Sequence, residues 1–226
     1  MRHGRKSKAV RFDGYKRHVA VDLGTRLIVG VALTRGNRPE SEAGEPLATE
    51  LMRQGFTVSC LYIDRGYLDS PAVAEYRRVN IPVECKAPTL RNGTLFTKAD
   101  FQLDLVTGRV VCPAGQTRPM KPGMTVKFAA PVCHACPLRA RCTESDQGRS
   151  LTIHPEEAVL IQLRARQKTP EGRAELRKRV PVEHRLARIG QSQGDTARYR
   201  GERKNLYDLR RHAVVSNLFI AMEEAA

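Results

Sequence analysis

Between residues 15 and 86 the chain alternates two hydrophobic periods, and that alternation limits the folds open to it. Tyr15 to Asp22 reads as a strand, with Val19 and Val21 on one face and His18, Ala20 and Asp22 on the other. After a turn at Gly24, Leu27 to Thr34 is a β-branched, buried strand, so the two are expected to form a hairpin. Residues 40–54 carry a helical pattern, with Leu47, Leu51 and Met52 facing inward and Glu42 and Glu45 near the start. Val58 to Asp64 is a further buried strand. Ser70-Pro71 opens a second helix, capped by Asp69, with proline at a tolerated first-turn position. Ile81 to Lys86 is the last strand. This order predicts an α/β layer with some parallel pairing.

The flanking stretches differ in kind. Residues 1–14 are polar and basic and read as a lead without regular structure. Residues 87–155 are rich in Gly, Pro and Cys and read as an insertion with a local fold of its own. Residues 156–226 read as helices completing the core that residues 15–86 begin. One helix is expected from Thr169-Pro170-Glu171 through Glu183, kinked by Pro181. The last, over 202–224, carries an apolar stripe of Leu206, Leu209, Ala213, Val214, Leu218 and Ile220.

Charge narrows the partners. There are 39 Lys and Arg against 24 Asp and Glu, a net +15. Residues 160–212 hold 15 basic and 6 acidic side chains, and residues 1–18 hold 7 and 1. Two basic zones around a more neutral middle suit a polyanion, and the arginine-rich C-terminal zone favours nucleic acid over a merely solvated face. No apolar run is long enough to span a membrane, and the N-terminus lacks the apolar segment of a secretory signal. A cytoplasmic setting follows, in which six cysteines are thiols or metal ligands rather than disulfides.

Three groups of residues carry chemistry. Asp64 closes the apolar run Cys60-Leu61-Tyr62-Ile63, where α/β sheets commonly place functional groups; an aspartate there also serves as a plain turn cap. Glu183 lies in the arginine-rich Val182-Glu183-His184-Arg185-Leu186-Ala187-Arg188, and taken alone reads as a salt-bridge partner of Arg179. Together, two such acids suit Mg²⁺, which is held by one or two carboxylates plus substrate phosphates. Cys112, Cys133, Cys136 and Cys142 have spacings that supply four thiolates to a structural zinc, with an iron–sulfur cluster as the alternative and His134 as a substitute ligand. Cys60 and Cys85 read as buried apolar residues in strands. Finally, Arg198, Arg200, Arg203 and Lys204 interleave cations with Tyr199 and Gly201, a pattern that grips phosphates without reading sequence, or a plain basic surface.

With these residues in view, the chain resembles the transposases of bacterial insertion sequences that carry a DDE (Asp-Asp-Glu) site on an RNase H-like fold, in the subgroup with a cysteine-bearing insertion. The likeness runs through Gly14-Tyr15-Lys16-Arg17-His18-Val19-Ala20-Val21-Asp22, Ile63-Asp64-Arg65-Gly66-Tyr67, Cys112-Pro113-Ala114-Gly115 and Cys133-His134-Ala135-Cys136-Pro137-Leu138-Arg139-Ala140-Arg141-Cys142-Thr143. It continues through Val182-Glu183-His184, Arg198-Tyr199-Arg200-Gly201, Arg203-Lys204-Asn205 and Asn217-Leu218. Each is weak alone; in this order they are specific.

The resemblance implies an RNase H-like mixed sheet flanked by helices, with a zinc-ribbon-like insertion. It implies Asp64 as the second acid and Glu183 as the third, both holding Mg²⁺ or Mn²⁺ for in-line attack on phosphodiesters. Arg185, Arg188, Arg198, Arg200, Arg203 and Lys204 would hold the backbone of double-stranded DNA, at transposon ends and target. A homo-oligomer on DNA and a nucleoid-associated location in a bacterium follow from the same likeness. One departure stands out. In that family the first acid lies on a strand upstream of Gly-Tyr-Lys, and only 14 residues precede Tyr15. Asp13 is too close to the hairpin for the role, and Asp22 holds a non-catalytic place. The expectation is therefore an N-terminally truncated transposase, inactive alone in strand transfer. The alternative is a zinc-containing protein that binds DNA without cutting it.

Overall fold

A computed structural model describes residues 3–5 and 11–225, arranged as two compact units. The first comprises 1–86 and 169–226, the second 87–168. The architecture is mixed α/β.

In the first unit, β1 (His3–Arg5) pairs antiparallel with β2 (Arg11–Asp13), within the lead expected to lack regular structure. The predicted hairpin forms between β3 (Tyr15–Val21) and β4 (Ile28–Arg35), antiparallel, with a bulge at Ala20/Val21. A 3₁₀ turn (Glu40–Ala43) leads into α1 (Gly44–Arg53). Leu51 is buried, but Met52, expected inside, is 69% exposed, because the helix points that position away from β4. The next strand, β5 (Leu61–Ile63), is shorter than the apolar run that announced it. It pairs in parallel with β6 (Val83–Cys85), itself shorter than the predicted strand over 81–86. Between them α2 (Pro71–Arg78) starts on Pro71, with Ser70 rather than Asp69 in the N-cap position. Cys85 is buried in β6 as expected, whereas Cys60 precedes β5 and is half-buried.

The second unit is built on β7 (Gln102–Asp104), β8 (Arg109–Val111) and β9 (Thr117–Pro119), an antiparallel three-stranded sheet. A second ladder joins β10 (Thr125–Lys127) to β11 (Ser150–Thr152) across two short helices, α3 (Ala130–His134) and α4 (Arg139–Cys142). Phe101, Val110, Met120, Val126, Phe128, Leu151 and Ile153 form its core. The unit reaches past residue 155, where the sequence reading ends the insertion, and takes in α5 (Glu157–Arg166). The physical reason is a buried ion pair: the Glu157 carboxylate, 1% exposed, receives Lys98 at 2.5 Å and Arg164 at 3.0 Å.

The chain then returns to the first unit through α6 (Pro170–Arg177), α7 (Val180–Gln193) and α8 (Glu202–Ala225). The single helix expected through Glu183 is two. Pro181 lies in the first turn of α7, where it needs no N–H donor, so the chain breaks before it instead of kinking around it. Ile189 of α7 and Leu209 and Ala213 of α8 pack on Ile28 and Val31, with Val19, Val21 and Leu33 alongside. The opposite face of the hairpin meets α1, where a Cβ at Gly30 would lie 3.4 Å from Ala20 and 3.6 Å from Leu47. Helices thus cover both faces of β3–β4. Asn217 ties α8 to β4 by substituting for a strand neighbour: its Oδ1 accepts from the Ile28 N–H at 2.8 Å, and its Nδ2 donates to the Ile28 carbonyl at 2.9 Å. Of the predicted stripe on α8, Leu209, Ala213 and Ile220 are buried, but Val214 and Leu218 lie on the opposite side, each 58% exposed.

Candidate functional site

Asp64 follows β5 directly and caps a 3₁₀ turn, Arg65–Tyr67, accepting from the Arg65 N–H at 2.8 Å. The capping role expected of a plain turn aspartate is therefore present, and it leaves the carboxylate at the surface, 59% exposed. Glu183 sits in the first turn of α7, 62% exposed. Arg179, in the N-cap position of the same helix, joins the two. Its Nη2 donates to Glu183 Oε1 at 2.8 Å, and its Nη1 lies 3.6 Å from Asp64 Oδ1. The Glu183–Arg179 pair is the one anticipated from i,i+4 spacing. The reach of the same guanidinium to Asp64 depends on α6 and α7 folding back beside β6, and no local pattern reports it.

Beneath this pair the turn is anchored to β3. His18, 2% exposed, contacts the Tyr67 hydroxyl at 2.5 Å through Nδ1 and Thr34 Oγ1 at 2.8 Å through Nε2. Burial, with Lys16 nearby, lowers the imidazole pKa to about 4, so His18 is neutral at pH 7. Burial also raises the Tyr67 hydroxyl well above its ordinary range, helped by the Glu40 and Asp64 charges. A protonated Tyr67 therefore donates to Nδ1, and Nε2–H is left to donate to Thr34. Gly66 completes the turn, because a Cβ there would run into the Glu40 side chain. Cys85, buried in β6, has its thiol pushed up to about 11, by burial first and by Asp64 next, which disfavours the nucleophilic thiolate. Arg17 connects β3 to the far end of α7, donating to Gln193 Oε1 at 3.1 Å and to the Gly194 carbonyl at 3.0 Å. Asp22 is committed to its own turn, accepting from the Thr25 N–H at 2.8 Å and hydroxyl at 2.7 Å.

Two surface carboxylates drawn to one cation have the donor chemistry that Mg²⁺ shares with a phosphate-bearing substrate. Among the described residues, however, no group of three or more His, Cys, Asp or Glu is arranged to hold a metal ion.

In the second unit Cys112, Cys133, Cys136 and Cys142 all line one cavity of about 310 Å³. All four are free and half-buried. The Cys112-Pro113-Ala114-Gly115 turn closes by a Gly115 N–H bond to the Cys112 carbonyl at 2.8 Å, with Gly115 at φ +82°, which favours glycine. The next amide, Gln116 N–H, donates to Cys112 Sγ at 3.3 Å. The Cys142 thiol is raised, by burial first, with Arg149 opposing and the neighbouring cysteines adding to the shift. His134 instead meets the Asp146 carbonyl at 3.1 Å.

The basic segment is a clamped loop. Asn205, 4% exposed, donates to the Tyr199 carbonyl at 2.6 Å and the Gly201 carbonyl at 2.7 Å. This presents Arg198 and Arg200 outward, next to Arg203 and Lys204 on the first turn of α8. None of these four makes an ion pair among the described residues. Arg188 is engaged within the unit, 3.6 Å from Glu223 and stacked on Phe219 at 4.8 Å, and Arg185 is half-buried. Sequence reasoning gave no role to Arg179's second partner, to His18 or to Asn205, whose partners lie on other elements or across a loop.

Residues 111–219 match the family model described as a transposase DDE domain, a match that supports a DDE-type transposase. It covers just under half of the chain, including Glu183, the four cysteines and the clamped loop, and excludes Asp64. No curated protein and no solved structure matches the chain. No helix among the described residues is long and apolar enough to cross a membrane.

Proposed function

We propose that the chain contributes the second and third acids of a DDE transposase site, Asp64 and Glu183, for metal-dependent DNA cleavage and strand transfer. The observation that carries this reading is the single Arg179 guanidinium reaching both carboxylates, which marks a position where a cation is favourable. Asp64 and Glu183 would hold a Mg²⁺ or Mn²⁺, which would supply Lewis-acid stabilisation of the attacking and leaving oxygens of a phosphodiester. Arg65 N–H orients the Asp64 carboxylate, while the His18–Tyr67 contact keeps the turn against β3. Arg198, Arg200, Arg203 and Lys204 position double-stranded DNA by its phosphates. Arg185 and Arg188 contribute to that surface only if DNA displaces Arg188 from Glu223 and Phe219.

The four cysteines would hold a structural Zn²⁺. Support comes from their shared cavity and the Gln116 amide aimed at Cys112 Sγ; because they do not stand as a ready-made ligand cluster, the ion would have to draw them together. The fold is taken as RNase H-like, and the working form as an oligomer on DNA.

On this reading the chain binds DNA, and any nicking it performs needs both acids. The test compares DNA binding and Mn²⁺-dependent nicking for the wild type, Asp64→Asn and Glu183→Gln. Retained binding with loss of any residual nicking supports the reading. Nicking that survives both substitutions refutes it.

A further inference from the structure

The long helix α8 has two apolar faces, and one of them lies open. Leu209, Ala213, Ser216 and Ile220 are buried. On the opposite side Tyr207, Val214, Val215, Leu218 and Met222 are between 48% and 68% exposed. At roughly 3.6 residues per turn these five fall in one stripe about 100° wide and, from Tyr207 to Met222, about 22 Å long. Single exposed apolar residues are ordinary. Five on one stripe expose on the order of 500 Å², comparable with the largest apolar patch of a typical monomer, which is often a binding site. The free charges on this face have one sign. Arg211 stands inside the stripe, 59% exposed, with a 4.0 Å approach to the buried Asp208. Arg203 and Lys204 are exposed beyond its N-terminal end, with no ion pair among the described residues. Acids of α8 are committed elsewhere in the first unit: Glu202 pairs with Arg35, Asp208 accepts from Gln193 in the interior, and Glu223 pairs with Arg188.

We propose that this face docks one amphipathic helix of a different protein, with an apolar stripe of its own and acidic residues at the end that lies over Arg211, Arg203 and Lys204. The shape of the face selects a helix. The backbone of α8 is already hydrogen-bonded within the helix, so a guest is recognised through side chains. Val214, Leu218 and Met222 form one i,i+4 row and Tyr207, Arg211 and Val215 the next, and the groove between such rows receives the ridge of a second helix. The acids follow from Arg211. A guest that covers the stripe takes this guanidinium out of water, which is costly unless a carboxylate meets it. A second copy of the chain serves poorly. Parallel pairing of α8 with itself sets Arg211 against Arg211, and antiparallel pairing sets it against a C-terminal turn whose Glu223 is engaged by Arg188. A different chain of complementary charge meets both requirements. This inference stands on the side chains of α8 and not on the transposase reading.

The test uses the full chain, without DNA. The probe is a displayed library of alanine-based peptides of roughly 18 residues, long enough to cover the stripe. Leucine is fixed at i, i+4, i+7 and i+11, and the flanking positions at both ends vary among glutamate, glutamine and lysine. Selection is run on the wild type, Leu218→Gln and Arg211→Glu, with thermal melts to establish that all three are folded. The expected result is enrichment of glutamate at one end of the peptide. Leu218→Gln should weaken the enriched peptide at least about tenfold, and Arg211→Glu should select lysine in place of glutamate. Three results would overturn the proposal: no peptide preferring the wild type to Leu218→Gln, enrichment without a preference for glutamate, or glutamate still preferred by Arg211→Glu. Sedimentation of the chain alone provides the last arm. A concentration-dependent dimer that Leu218→Gln abolishes would overturn it in favour of pairing between copies.

Discussion

Asp64 and Glu183, far apart in sequence, share one guanidinium: Arg179 lies 3.6 Å from the first carboxylate and 2.8 Å from the second. Both acids are more than half exposed, so water screens the attraction and neither pair adds much to folding. The effect of the arrangement is on the local field. An internal cation occupies the space between two acids that are proposed to hold an external one.

Arg179→Gln is therefore expected to tighten Mn²⁺ binding several-fold while changing stability by less than about 1 kcal/mol. Titration calorimetry and thermal melts on the same samples check both halves. Unchanged affinity would mean that Arg179 does not compete for the acids.

His18 predicts an acid sensitivity. Its folded pKa of about 4 lies below the ordinary 6.5, so the folded state favours the neutral ring. The unfolded chain binds the extra proton first. The stability due to neutral His18 is complete above pH 6.5 and is lost as pH falls toward 4, by roughly 3 kcal/mol in all. Denaturant melts between pH 7 and 4 should show this slope in the wild type and a shallower one in His18→Asn.

Glu157 is the most vulnerable side chain of the second unit. Burial alone would raise its carboxyl, but Lys98, the His154 N–H and Arg164 together hold it below the usual carboxylate range. Glu157→Ala leaves Lys98 and Arg164 without their partner and should cost about 3–5 kcal/mol, read by denaturant unfolding. A loss below about 1 kcal/mol would contradict the buried pair.

The cysteine cavity predicts one zinc per chain by elemental analysis. Chelation, or Cys136→Ser, should lower the melting temperature and speed amide exchange over 112–142. A metal-free chain with the same melting temperature would remove zinc from the account.

For the clamped loop, Arg198→Ala and Arg200→Ala should each reduce the slope of log affinity against log salt for duplex DNA by about 1, uniformly across sequences. Asn205→Ala should weaken DNA binding without removing any charge, because the loop loses two carbonyl anchors.

Much of the first unit was legible because its signals are local. The β3–β4 hairpin falls within a residue or so of its predicted ends, since alternation and the turn at Gly24 both act over a few residues. The strand at Val58–Asp64 came out shorter because apolar character marks burial, while a ladder also needs a neighbour, and β6 is only three residues long. The stripe on α8 mixed two faces, since Val214 and Leu218 follow a helical spacing as regular as that of Leu209 and Ala213. At the candidate site, Asp64 and Glu183 were each legible as candidates. Their convergence on Arg179 was not, because the approach of Arg179 to Asp64 is a contact between residues more than a hundred positions apart, which no local pattern reports.

The central claim is that Asp64 and Glu183 act as one metal-holding pair. The most direct measurement is Mn²⁺ affinity, by electron paramagnetic resonance, for the wild type, Asp64→Asn, Glu183→Gln and the double variant, with zinc present to fill the cysteine cavity. The account predicts weak but specific binding in the wild type, lost as fully in either single variant as in the double. Equal affinity in all four proteins, or losses that simply add, would contradict it.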